Sequence, residues 1–201
     1  VNTTRLPRVV VLVAASLALT AASAPAAGLR IELDPARTQI LFSLGATLHT
    51  VHGSFRLASG ALGFDPATGI ASGEIVIDAA SAETGNRKRD EKMHAEVLLS
   101  AAHPRIVLRS VRLEGELHPT GTSELTLVAE LELLGARHEL RLPLAVEVTA
   151  EAFTARAEFT VPYVAWGLAD PSTFVLRVAK EVEVVVEAAG TLRGDEAQLP
   201  P

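Results

Sequence analysis

The sequence predicts an all-β protein: a closed antiparallel barrel with one short α-helix near residues 87–100. Three observations predict this fold. Apolar and polar residues alternate through most of the chain, which is typical of antiparallel strands with one buried and one solvent-exposed face. The strands are long, and long strands leave exposed edges unless the sheet closes on itself, so a barrel is favoured over a sandwich. One stretch has the spacing of an amphipathic helix instead.

The first 26 residues have the form of a secretory signal peptide. Arg5 and Arg8 precede an apolar run from Val9 to Ala22, and Ala24-Pro25-Ala26 matches a small-residue cleavage site. The run is shorter than the roughly 20 residues of a membrane-spanning helix. We therefore expect cleavage after Ala26 and export to the periplasm or the medium, with an uncleaved anchor as the alternative. We expect no transmembrane segment in the mature chain.

The composition after this segment is that of one acidic domain without disulfides. The segment removes two of the 18 basic residues and none of the 24 acidic ones, which leaves a net charge of about −8. That charge argues against nucleic acid as a partner, because such proteins carry a basic surface. Because there is no cysteine, the core alone must hold the fold. We expect a single domain over residues 27–192 and a flexible tail over 193–201.

The strands follow in order along the chain. Strict alternation marks the clearest four, and turn residues such as Asp34-Pro35 and Asp65-Pro66 separate others. The short Leu134-Gly135-Ala136 connection predicts a hairpin. The predicted strands are residues 29–33, 38–48, 53–57, 60–64, 72–78, 105–113, 124–133, 138–148, 153–161, 174–179 and 182–188.

The helix is predicted where the alternation stops. Met93, Val97 and Leu98 recur on one face, with charged residues between them. Asn86 or Thr84 is placed to cap its start, and His103-Pro104 prevents its continuation. A helix this short is marginal alone in water, so its apolar face must pack on something. On a closed barrel, the place available is one mouth.

Four segments in this order resemble the YceI-like family of lipid- and polyisoprenoid-binding proteins. They are RIELDPARTQILFSLGATLHTVHGSF, GNRKRDEKMHAEVLLSAAHPRIVLRS, LELLGARHELRLPLAV and VPYVAWGLADPSTFVLRVAKEVEVVVEAAG. The most specific part is Arg89-Asp90, the helix after it and the His-Pro-x-Ile start of the next strand. The resemblance covers about residues 29–190. It implies a lipocalin-like barrel of about eight strands whose apolar interior holds a polyisoprenoid, an isoprenoid quinone or a fatty-acid-like lipid.

The candidate ligand-binding residues are apolar side chains on predicted inward faces and on the helix. Aromatic residues make up only 4% of the chain, so the lining is mostly aliphatic and suits a flexible chain better than a flat ring. The alternative is a filled core, which is common in small barrels. The candidates for the lining are Ile40, Phe42, Leu44, Phe55, Met93, Val97, Leu127, Leu142, Phe159 and Trp166.

Two polar features are weaker candidates. Arg89, in the run Arg87-Lys88-Arg89, has the charge needed to bind an anionic head group, although a solvated turn is the alternative. His49 and His52 are close enough in sequence to be metal ligands if the chain turns there, as Gly53 permits. On a regular strand their spacing places them on opposite faces.

No motif for catalysis or a cofactor is present. The G-x-S-x-G nucleophile turn and the HExxH zinc motif are both absent, and no glycine-rich loop precedes a helix. We therefore expect no cofactor and a non-enzymatic, exported binder or carrier of an apolar chain. The alternatives are a structural or interaction module of the cell envelope with a filled core, active in stress, and a metal-binding protein that uses His49 and His52.

Overall fold

The structure is a computed structural model that describes residues 28–150 and 152–194. The predicted signal peptide lies outside the described residues. One antiparallel sheet contains the strands β1 (Leu29–Leu33), β2 (Gln39–Gly45), β3 (Thr50–Phe64), β4 (Ala71–Glu83), β5 (Arg105–Glu114), β6 (Gly121–Leu133), β7 (Ala136–Val148), β8 (Phe153–Val161) and β9 (Val182–Gly194). Between β4 and β5 the helix α1 (Arg87–Lys92) continues as one π-helical turn (Met93–Val97). None of the described helices is long and apolar enough to cross a membrane.

The sheet closes into a barrel because β3 pairs with β4 as well as with β2. β1 and β2 occupy one position in the ring, since both pair with β3 on one side and β9 on the other. Between them the chain turns at Asp34-Pro35, where the Asp34 carboxylate accepts a hydrogen bond from the Ala36 N–H at 2.9 Å. The barrel therefore has eight positions, which confirms the predicted fold class.

The connections define two ends of the barrel. The β2–β3 hairpin, the helical segment, the β6–β7 turn and the loop at 162–181 lie at one end, here called the mouth. The β3–β4 turn lies at the other end, the base. Leu134 and Gly135 have φ angles of 50° and 80° and join β6 to β7 in a two-residue turn. The predicted hairpin is thus confirmed, and its positive φ angles match the twist of antiparallel strands.

The structure confirms the position of the predicted helix and the side on which its apolar residues lie. The Asn86 side chain accepts a hydrogen bond from the Arg89 N–H at 3.2 Å, so Asn86 is the cap that the sequence suggested. The apolar face also packs as expected: Leu98 is buried, and Met93 and Val97 lie against the same core cluster. This packing compensates for the low intrinsic stability of so short a helix.

Several predicted strand boundaries differ from the structure; β2, for example, ends at Gly45, and β4 extends to Glu83. The strands at 53–57 and 60–64 are one strand, β3, with register irregularities where it pairs with β4. The strand at 174–179 is wrong, because only the bridge between Ala46 and Val178 forms there. Asp170 Oδ1 accepts from the Ser172 N–H, and Thr173 Oγ1 accepts from the Leu176 N–H, which folds this segment into turns. β9 extends to Gly194, so the first two residues assigned to the tail pair with β1; the remainder of the tail lies outside the described residues.

Candidate functional site

The inward faces of the strands do not fill the upper half of the barrel. A cavity of about 440 Å³, here called the upper cavity, extends from the mouth into the interior. His49, Lys92 and Thr173 line it and are exposed to solvent, so the cavity reaches the surface. Almost all of its other lining is aliphatic or aromatic. A volume of this size is within the range of sites that hold small ligands.

The strands contribute most of this lining because alternate residues point inward. Phe42 on β2 and Phe55 on β3 contact each other, with ring centroids 5.3 Å apart. Gly53 lies directly across from Phe42, and a Cβ at Gly53 would be 2.3 Å from the ring. The Phe42 ring therefore occupies the space that a side chain at residue 53 would take. Gly53 serves to accommodate this ring, and the chain turns earlier, before Thr50.

The helical segment covers one side of the mouth and is hydrogen-bonded to Thr84, the residue directly after β4. Thr84 is bound by two consecutive residues of α1. Its hydroxyl and carbonyl oxygens accept from Arg89 Nε at 2.7 Å and Nη2 at 3.0 Å. Its N–H donates to Asp90 Oδ1 at 3.0 Å, and its hydroxyl donates to the same oxygen. We call these contacts the Thr84 clasp; they give a structural role to the Arg89-Asp90 pair that the sequence singled out.

A second attachment lies in the π-helical turn. His94 Nε2 is 2.9 Å from the carbonyl oxygen of Ala82, and its Nδ1 is 3.0 Å from Ser100 Oγ. A carbonyl only accepts, so Nε2 carries the proton and Nδ1 accepts from the hydroxyl. His94 thus holds the helical segment to β4 and to the loop after it. A π-helical turn is an uncommon element that is often found at functional sites.

The loop at 162–181 closes the other side of the mouth. Tyr163 is buried and lines the upper cavity, and its hydroxyl donates to the Ala179 carbonyl at 2.7 Å. Burial, with a smaller contribution from the charge of Asp170, raises the pKa of Tyr163 to about 12. Leu168 and Leu176 from the same loop also line the cavity.

A smaller cavity of about 130 Å³, the lower cavity, lies toward the base. The two cavities share four lining residues and therefore meet there. The packed cluster that includes Ile31, Val146 and Phe153 forms the part of the lower cavity's lining nearest the base. The four shared residues are Ile40, Ile77, Leu131 and Phe159.

The structure brings most of the predicted lining residues to these two cavities. Phe159 lines both cavities, and Leu127 and Leu142 line the lower one. Trp166 lines neither; it stacks on His138 with ring centroids 4.2 Å apart and the planes at 4°. Trp166 is therefore not part of the cavity lining. The predicted residues of the upper cavity are Ile40, Phe42, Leu44, Phe55, Met93, Val97 and Phe159.

The structure places the predicted head-group residue, Arg89, at the edge of the upper cavity. Arg89 lines the upper cavity at the mouth, and its guanidinium is also part of the Thr84 clasp. In the part of the chain that the structure describes, no carboxylate lies within 4.0 Å of it. Lys92, one turn further, also lines the cavity, with its amine 3.7 Å from the Glu96 carboxylate.

The two candidate metal ligands, His49 and His52, point to different surroundings. His49 lines the upper cavity, whereas His52 Nδ1 lies 2.9 Å from Ser43 Oγ on the neighbouring strand. Within residues 28–150 and 152–194, no group of three or more His, Cys, Asp or Glu residues is arranged to hold a metal ion.

Sequence reasoning missed two kinds of lining residue. Ile77 and Leu131 lie on alternating strands, so the pattern indicated their face but not their height in the barrel. Tyr163, Leu168 and Leu176 come from the loop at 162–181, where no periodicity indicates which side chains turn inward. The sequence analysis singled out Trp166 in that loop, whereas the cavity is lined by the loop's single tyrosine and two of its leucines.

The comparisons with known proteins agree with this architecture. The model of the YceI-like domain family matches residues 32–189. Among solved structures, BcnA of Burkholderia cenocepacia is 17% identical over 79% of this chain and 99% of its own, with a TM-score of 0.67. A polyisoprenoid-binding domain from Saccharophagus degradans, implicated in plant cell wall breakdown, is 17% identical over 81% and 98%, with a TM-score of 0.62.

A third structure, the YceI protein of Campylobacter jejuni, is 16% identical over 72% of this chain and 87% of its own, with a TM-score of 0.59. No curated protein matches the sequence significantly. At these identities, the solved structures support the fold, and the family model places the chain among its relatives.

Proposed function

This chain belongs to the YceI-like family, and we propose that it is a non-enzymatic carrier that binds one apolar chain in the upper cavity. The observation that supports the proposal most is the cavity itself, about 440 Å³ in volume and lined almost entirely by apolar side chains. Such a surface has few polar partners to offer water, whereas a flexible hydrocarbon gains free energy from burial there, roughly 0.8 kcal/mol per methylene group. The Saccharophagus degradans relative, described as polyisoprenoid-binding, is consistent with this ligand class.

The test is calorimetric titration of the delipidated protein with palmitic acid and with farnesol, compared between two variants of adjacent valines. Val184 lines the upper cavity on β9, while Val185 pairs with Leu41, which is 42% exposed, on the outer face. Val184→Phe adds four carbon atoms to the cavity and should weaken binding about tenfold to a hundredfold. Val185→Phe should leave the affinity unchanged.

Failure of both ligands to bind, together with no lipid in organic extracts of the purified protein, would falsify the carrier function. That result would favour a structural or interaction module of the cell envelope. Equal weakening by Val184→Phe and Val185→Phe would place the ligand elsewhere. Metal analysis of the untagged protein tests the third alternative, since a stoichiometric metal would support the use of His49 and His52.

We also propose that Arg89 and Lys92 bind an anionic head group of the ligand at the mouth. Both line the cavity where it reaches solvent, and a charged donor forms strong hydrogen bonds to a carboxylate or phosphate. Because Arg89 also belongs to the Thr84 clasp, Lys92→Gln separates the two roles. The affinity ratio of palmitic acid to hexadecanol should fall in Lys92→Gln and Arg89→Gln. An unchanged ratio in both variants would remove the head-group role.

Export of the carrier is part of the same proposal. The basic start, apolar run and Ala24-Pro25-Ala26 of residues 1–26 support it. Expression of the full sequence in a Gram-negative host, followed by N-terminal sequencing of the periplasmic and medium fractions, should give a chain that begins at Ala27. Recovery only in the cytosol, with residues 1–26 retained, would contradict export.

A further inference from the structure

The four residues that line both cavities form one layer across the barrel. Ile40 comes from β2, Ile77 from β4, Leu131 from β6 and Phe159 from β8, which are every second strand of the ring. Inward side chains from alternate strands stack in layers in closed barrels, so these four meet around the axis. We call this layer the waist. It separates the upper cavity from the lower one.

The volume above the waist limits the length of a bound chain. A methylene group in a packed liquid takes about the volume of a water molecule, ~30 Å³. The upper cavity of about 440 Å³ therefore holds roughly 15 chain carbons. Both cavities together, about 570 Å³, hold roughly 19. A polyprenyl chain of about 40 carbons would need roughly twice that space.

We propose that the waist sets the chain length and that the ligand is a single chain of about 15 carbons, such as a farnesyl or C14–C16 acyl chain. The inference rests on the carrier function proposed above and specifies its ligand class. The chain lies in the upper cavity with its terminal methyl group against the waist. Phe159 is the largest of the four side chains, so it contributes most to the barrier between the cavities.

The test measures the affinities of farnesol, geranylgeraniol and solanesol, and of palmitic and lignoceric acids, for the delipidated protein and two variants. Measured as transfer from phosphatidylcholine vesicles, the native protein should bind geranylgeraniol at least about tenfold more weakly than farnesol, because the carbons that do not fit above the waist move from the bilayer into water. Phe159→Ala opens the waist and should reduce this preference to about threefold or less. Phe153→Ala is the matched control, since Phe153 is on the same strand and lines only the lower cavity. It should leave the preference unchanged.

Three outcomes decide the inference. If no chain binds, the carrier function itself fails. If geranylgeraniol binds as tightly as farnesol, the carrier function stands and the waist does not limit length. If Phe159→Ala does not fold, Phe159→Leu replaces it, and an unchanged preference in the folded variant also overturns the role of the waist.

A separate observation concerns the outer edge of the mouth. Phe174, Val175 and Leu48 are 96%, 85% and 83% exposed, more than any other large apolar side chain in the described residues. Leu48 is in the β2–β3 hairpin, and hydrogen bonds between Thr47 and Arg177 join that hairpin to the loop that carries Phe174 and Val175. We call these three side chains the rim. Exposed apolar clusters of this kind mark interaction surfaces.

We infer that the rim inserts into the surface of a phospholipid bilayer when the carrier loads or releases its chain. The rim is continuous with the cavity: Leu176 and Val178 line the cavity directly after Phe174 and Val175. A chain leaving a bilayer at the rim would therefore meet apolar side chains along its path. Exposed Arg177 in the same loop provides a cation for lipid phosphate groups.

Co-sedimentation with vesicles of phosphatidylcholine and phosphatidylglycerol tests this surface. Replacing Leu48, Phe174 and Val175 by Ser should reduce vesicle binding and the rate of palmitate transfer about tenfold, with solution affinity for palmitate unchanged. Ile70→Ser, at the base and 58% exposed, is the control and should change neither. Absence of vesicle binding by the native protein, or equal binding by the triple variant, would overturn the inference.

Discussion

Asp90→Ala removes the carboxylate of the Thr84 clasp. Asp90 Oδ1 accepts from both the N–H and the hydroxyl of Thr84, and both groups are partly buried. A hydrogen bond to a charged group contributes roughly 1.5–3 kcal/mol. Because the site is only half-buried, we expect the two bonds together to contribute about 2–3 kcal/mol to the free energy of unfolding. The variant should then melt about 5–10 °C lower than the native protein.

Urea unfolding, followed by far-ultraviolet circular dichroism and by the fluorescence of the single tryptophan, Trp166, measures the loss. Glu91→Ala is the control, since Glu91 pairs with Arg87 at 3.7 Å and both side chains are well exposed. It should cost less than about 0.5 kcal/mol. In a double-mutant cycle, Asp90→Ala and Thr84→Val should couple by about 1 kcal/mol. A loss for Asp90→Ala no larger than that of Glu91→Ala would refute the clasp.

Three further predictions concern the lining and the helical segment. Tyr163, the only tyrosine, should titrate at about pH 12 in a tyrosinate absorbance measurement. Since its folded pKa exceeds the ordinary 10.0, the contribution of Tyr163 to the free energy of unfolding should be complete below pH 10 and should fall as the pH rises toward 12. Titration at pH 10.0 would contradict its burial. Gly53→Ala should lower the free energy of unfolding by about 1–3 kcal/mol, because the new Cβ would be 2.3 Å from the Phe42 ring and 2.5 Å from the Glu83 carbonyl oxygen. Gly45→Ala, whose Cβ would have ordinary contacts, should change it little. His94→Ala should cost about 1–3 kcal/mol by leaving the Ala82 carbonyl and the Ser100 hydroxyl without their partner, and an unchanged urea midpoint would contradict that attachment.

The sequence was most informative where one physical rule dominated. Alternation identified the buried faces of β6 to β9 because each of these strands has one solvent-exposed and one buried face. The helix was recognisable because Met93, Val97 and Leu98 recur at i, i+4 and i+5, which is a helical spacing, and because Asn86 is a strong cap. Closure of the sheet followed from the cost of leaving long edges unpaired, whereas the number of about eight strands came from the resemblance to the YceI-like family.

The rest depended on tertiary contacts that no local pattern contains. The loop at 162–181 has strand-like residues, yet side chains of Asp170 and Thr173 bind its own backbone and hold it across the mouth. Whether Phe159 fills a core or borders a cavity depends on its height relative to Ile40, Ile77 and Leu131. That height is set by the stagger of four strands, so it cannot be read from one strand alone.

The crystal structure of the delipidated protein soaked with palmitic acid tests the central proposal most directly. Electron density for one acyl chain should lie in the upper cavity, with the terminal methyl group against Phe159 and the carboxylate near Lys92 and Arg89. An interior filled by rearranged side chains, with no density for a chain at saturating ligand, would contradict the proposal that this barrel carries an apolar ligand.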